Sequence, residues 1–66
     1  MNDNTPLAAD ILRGAGAIAE FLGFERRAIY HAVSKGSIPT FRVGETVCAR
    51  RSTLAAWIAE QERQAA

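Results

Sequence analysis

Apolar and polar positions along this chain change rhythm three times, and each change marks an element. Between Ala15 and Leu22, the residues Ile18, Phe21 and Leu22 fall at i, i+3 and i+4 with Ala19 alongside, the spacing of one helical face. Gly23 stops the run and suits a left-handed residue just past a helix end. The rhythm then restarts at once. Phe24 is an apolar anchor, and Ile29, Ala32 and Val33 repeat the spacing up to Gly36, a second stop. Helices are predicted over 15–22 and 25–35. A glycine joint this short predicts a steep crossing, with small Ala19 at the closest approach and Ile18, Leu22, Phe24 and Ile29 as fasteners.

Beyond Gly36 the period falls to two, and Pro39 cannot sit inside a helix. In the stretch IPTFRVGETVCARR, Gly44-Glu45 fits a two-residue hairpin turn with glycine first. That turn sets Arg42 opposite Val47 and Phe41 opposite Cys48. It predicts Phe41, Val43 and Cys48 facing inward, with Thr40 and Arg42 facing outward beside Val47. A hairpin over 38–50 results. Ser52 next offers an N-cap, and Leu54, Trp57, Ile58 and Gln61 form the stripe of a last helix over 52–64, which Trp57 closes over the helix pair. Ahead of these elements, residues 1–13 form an N-terminal arm. Thr5-Pro6 resembles a helix start, yet the apolar patch at 7–12 reads equally as a short helix or as a strand added to the later sheet.

The order helix, turn, helix, hairpin, helix over 14–66 is a mainly α single domain with a small β-hairpin. Composition agrees with one soluble domain: 66 residues, 48% hydrophobic and 23% charged. A core this small supplies a margin of roughly 3–5 kcal/mol. The single Cys48 can form no internal disulfide, and the start MNDNTP has neither the basic nor the apolar stretch of a signal peptide, so a cytoplasmic location is expected. No apolar run approaches the roughly 20 residues of a membrane span.

The net charge of +1 becomes informative when it is divided along the chain. Residues 1–25 set Arg13 against Asp3, Asp10, Glu20 and Glu25, and residues 52–66 set Arg63 against Glu60 and Glu62. The middle stretch sets Arg26, Arg27, Lys35, Arg42, Arg50 and Arg51 against Glu45 alone. Positive charge confined to one stretch is what a face meeting a polyanion requires. On the second helix the polar residues Arg26, Arg27, Tyr30, His31 and Ser34 are three and four apart, so they are expected to project together toward base edges in a major groove. The first helix would then cross the DNA backbone.

These residues carry a family resemblance. Ile18, Ala19, Leu22, Gly23, Tyr30, Gly36, Ile38, Pro39, Arg42, Gly44, Arg51, Leu54 and Trp57 follow the pattern "IA..LG…..Y..v..G.iP..r.G…..r.s.L.aW". Over residues 14–58 the chain resembles the small winged helix-turn-helix proteins of phages and mobile elements: excisionase-type and AlpA-type factors, distant relatives of MerR-type heads. The resemblance implies a winged helix-turn-helix fold, a recognition helix over 25–35 and a wing over 38–50 against DNA backbone or minor groove. Glu25 departs from the pattern, standing where such proteins often carry a serine or threonine cap.

Several features invite other chemistry. Arg50 and Arg51 precede Ser52, where the positive end of a helix dipole repels them, and a phosphate there would relieve the conflict. Lys35, Thr40, Arg42, Arg50 and Arg51 are therefore the expected contacts to DNA backbone. His31 and Cys48 are too few for a zinc site, and Cys48 has no activating partner for nucleophilic work. No metal, cofactor or catalytic set is expected. The run Gly14-Ala-Gly16-Ala-Ile-Ala19 matches a dinucleotide fingerprint only superficially, because no strong strand precedes it and no βαβ unit fits.

The expected function is sequence-specific binding of double-stranded DNA by a phage or mobile-element transcriptional regulator or excisionase. One module of this size covers only about 600–1,000 Å² of DNA, so self-association on DNA is expected, and an integrase is a candidate partner. Two other readings fit parts of the sequence. One is the DNA-recognition head of a phage terminase small subunit; the other is a protein-interaction adaptor using Phe21, Tyr30 or Trp57 as anchors.

Overall fold

The computed structural model describes residues 6–65. In chain order these form α1 (Leu7–Asp10), β1 (Ile11–Arg13), α2 (Ala15–Leu22), α3 (Arg26–Lys35), β2 (Phe41–Val43), β3 (Thr46–Arg50) and α4 (Arg51–Ala65). The described residues are mainly helical (62%) with one small antiparallel sheet of strand order β1-β3-β2.

The helix pair forms where the apolar rhythm places it. Gly23 adopts φ +78°, a left-handed value that a side chain resists, and its N–H together with that of Phe24 bonds the Ala19 carbonyl at 2.8 and 2.9 Å. This arrangement ends α2 and turns the chain into α3. Ile18, Ala19 and Ile29 are fully buried between the helices and the sheet. Phe24, expected as a fastener, is instead 59% exposed. It follows the left-handed turn, so its side chain leaves the interface and rims a shallow apolar groove with Leu22, Ala28, Trp57 and Ile58.

The ambiguous patch at 7–12 contains both alternatives in succession. Leu7–Asp10 make one helical turn, with Pro6 as its N-cap residue; the expected cap Thr5 lies outside the described residues. Ile11–Arg13 then become a strand that pairs with β3, Leu12 opposite Ala49. The N-terminal arm therefore completes the sheet.

The hairpin register is the predicted one, with Phe41 opposite Cys48 and Arg42 opposite Val47. Gly44 takes φ +65° at the first turn position. The predicted facing, however, is reversed. Val47 and Ala49 meet the helices, and Ala49 is fully buried beside Leu12 and Ile18. Phe41 and Val43, expected inside, lie on the opposite face at 40% and 62% exposure. Cys48 is buried on that outer face, flanked by its cross-strand neighbours Arg13 and Phe41. The reversal follows from β1: a third strand makes β3 the central one, and a helix layer packs closely over small Ala49 where a larger side chain would hold it away.

Leu54 of α4 is fully buried and Trp57 packs half-buried against the core, as its stripe predicts. Among the described residues no helix is long and apolar enough to cross a membrane.

Candidate nucleic-acid interface

Helix α3 carries the predicted base-reading residues, and its inner stripe determines where each one points. Ile29 is the buried centre of that stripe, with half-buried Ala32 and Val33 on either side. At about 100° per residue, Arg27 and His31 lie about 160° from Ile29, and Ser34 about 140°. These three form the outward face, and all are exposed. Tyr30 flanks the face on one side at 57% exposure, and exposed Lys35 flanks it on the other. The Ser34 hydroxyl donates to the His31 carbonyl at 3.0 Å, which leaves its lone pairs outward.

Arg26 is exposed but belongs elsewhere. It lies only about 60° from Ile29 around the helix, and its guanidinium rests against Gly16 of α2. The helix thus turns Arg26 about 100° from Arg27 and farther from His31, while leaving it on the same flank as Tyr30, one turn away. Glu25 occupies the N-cap position of α3 with an extended backbone and no side-chain capping bond. Lys35 stands in the last turn, where a cation suits the helix dipole.

No family model, curated protein or solved structure matches this chain.

The backbone-contact set divides in two. Arg42 on edge strand β2 is exposed, and Thr40 is half-buried in the segment before that strand. Both lie on the hairpin side of the molecule with no acidic partner among the described residues. Arg50 and Arg51 are instead engaged inside the chain. Arg50 Nε donates to Asp10 Oδ2 at 2.9 Å. Arg51 Nε donates to the Ala9 carbonyl at 3.0 Å, and its guanidinium lies 5.6 Å from the centroid of the Phe21 ring.

Asp10 supplies the anion that this helix start demands. Its two oxygens accept from the Ser52 backbone N–H at 3.1 Å and from the Ser52 hydroxyl at 2.7 Å. Ser52 was expected to cap α4 by its own side chain. The helix instead begins at Arg51, and a carboxylate from the other end of the chain caps it. The Ser52 hydroxyl is the largest influence holding the Asp10 carboxyl below its ordinary value of 3.8; the Ser52 N–H and Arg50 add to it, against an opposing effect of burial. The charge conflict among Arg50, Arg51 and a helix N-terminus was visible in sequence. Its resolution required knowing that β1 pairs with β3, which carries Asp10 to the place.

His31 and Cys48 stand on different elements, the first exposed and the second buried. Gly16 and Asp10 are the residues of this region that sequence reasoning missed.

Proposed function

We propose that this chain is a winged helix-turn-helix module that binds double-stranded DNA, acting by recognition rather than catalysis. Support comes first from the outward face of α3: Arg27 and His31, with Tyr30 and Lys35 beside them, offer exposed donors, and Ser34, its own proton given to the His31 carbonyl, adds an acceptor. No carboxylate within the described residues pairs with this face. Donors of this kind on one helix match base edges in a major groove. The β2–β3 hairpin is the wing, and Arg42 with Thr40 on its near side holds phosphates. Arg50 and Arg51 act chiefly as structural residues in this reading, because Asp10, Ala9 and Phe21 already engage them.

A transcriptional regulator or excisionase of a phage or mobile element uses such a module in several adjacent copies, since one copy covers about 600–1,000 Å². Self-association on DNA, with an integrase as a partner, belongs to the same proposal. A terminase small-subunit head would present the same helix to DNA. Of the adaptor reading's three anchors, Tyr30 is 57% and Phe21 39% exposed, the latter with Arg51 over its ring, while Trp57 packs half-buried against the core.

The test is binding to a duplex enriched from a random pool by the wild-type protein. Arg27→Ala is expected to weaken binding by about 1–3 kcal/mol and to relax preference at one position of the site. Arg63→Ala, whose side chain pairs with Glu60 on α4, is expected to leave binding unchanged. Equal behaviour of the two variants would contradict the proposal.

A further inference from the structure

Gly16 is the one glycine of this chain whose residue type its backbone does not explain. The other four, Gly14, Gly23, Gly36 and Gly44, all adopt positive φ, and Gly16 does not. It sits inside α2, where glycine is the poorest helix former after proline. What distinguishes the position is its neighbour. A Cβ on Gly16 would stand 3.1 Å from Nη2, 3.4 Å from Nε and 3.6 Å from Cζ of Arg26. The guanidinium lies where a side chain would otherwise be.

Two further observations bear on that contact. Arg26 lies beside the buried stripe of α3, on the flank turned toward α2 and away from the outward face of Arg27 and His31. It also forms no ion pair among the described residues, so its charge is available to an outside anion. We infer that Gly16 is a positioning residue that seats the Arg26 guanidinium against α2, and that this seat directs Arg26 to a DNA phosphate beside α3 instead of a base edge beneath it. The inference rests on the duplex-binding reading and changes the role of one residue within it. A base reader must extend from the centre of the outward face into the groove. A guanidinium held back on the first helix of the pair meets the strand that this helix crosses.

Gly16→Leu fills the seat with a good helix former and evicts the guanidinium; Gly16→Ala shifts it by only a few tenths of an ångström. The experiment measures both, with Arg26→Ala and the Gly16→Leu/Arg26→Ala double variant, against the enriched duplex and a shuffled duplex of the same composition. Thermal melts accompany each measurement. The inference expects Arg26→Ala and Gly16→Leu to weaken both duplexes by the same factor and to lower the salt slope by about 0.9. Gly16→Ala should lose less, and the double variant should be no weaker than Arg26→Ala alone. Melting temperatures of both Gly16 variants should equal or exceed that of the wild type.

Additive losses in the double variant, or full affinity in Gly16→Leu, would overturn the seat. A loss confined to the enriched duplex in Arg26→Ala would make that residue a base reader and overturn the phosphate assignment. Wild-type protein that binds neither duplex would remove the duplex-binding reading itself. The seat is then judged in free protein, where Gly16→Leu must move the Arg26 Nε–H resonance in a nitrogen–proton spectrum, and an unmoved resonance overturns it.

Discussion

Asp10 joins the two ends of the chain through one carboxylate. Its oxygens take the Ser52 N–H, the Ser52 hydroxyl and the Arg50 guanidinium, so it caps α4 and neutralises an arginine together. Because these donors lower its pKa in the folded state, the folded protein binds this proton less tightly than the unfolded chain does. The stabilisation is therefore complete above the ordinary value of 3.8 and is lost as pH falls through the lower folded value. Asp10→Asn is expected to melt several degrees below the wild type at neutral pH, and the two curves should converge in acid; melts followed by circular dichroism across that range check this. Gly23 makes a second residue-scale case. With φ at +78° and open space around it, Gly23→Ala meets no clash and suffers only the left-handed strain, about 1–2 kcal/mol in urea unfolding. Gly23 was legible in sequence because a local apolar rhythm stopped there. Asp10 was not, because its partners lie some forty residues away.

Single elements were legible to the extent that their signals were local. Helices α2 and α3 occupy the predicted positions within a residue, because the i, i+3, i+4 spacing and two glycine stops act within each segment. The β2–β3 register followed from Gly44-Glu45 for the same reason. Which sheet face meets the helices was not readable from the hairpin, since Phe41 and Val43 on one face outweigh Val47 and Ala49 on the other in apolar size. The third strand decided the outcome, and periodicity alone could not choose between helix and strand for the few residues that supply it. Two substitutions test the facing by urea unfolding. Val43→Thr on the exposed face should change stability by less than about 0.5 kcal/mol. Ala49→Leu at the fully buried position should cost about 1–3 kcal/mol through overpacking. A chain beginning at Gly14 lacks both Leu12 and Asp10. Losing one buried leucine side chain costs about 2–5 kcal/mol, comparable with a total margin of roughly 3–5 kcal/mol. That shortened chain is expected to show no cooperative melting transition.

At the scale of the whole molecule, the fold sorts the charges that sequence only counted. Its dimensions of 35 × 33 × 18 Å make a slab about two layers thick, with Val47 and Ala49 of the sheet turned to the helices and Phe41 and Val43 exposed on the other face. Of the six cations between residues 26 and 51, folding commits Arg50 and Arg51 to the chain itself. Arg26, Arg27, Lys35 and Arg42 remain exposed, along α3 and on the β2–β3 hairpin. None of these four pairs with a carboxylate among the described residues, and they are the cations that the proposed duplex contact uses. The measurement that bears most directly on this account is the affinity of the wild-type protein for the enriched duplex as salt is raised. Phosphate contacts by Arg26, Lys35 and Arg42 predict a log–log slope of about −3. A slope near zero, or no measurable duplex binding at low salt, would contradict it.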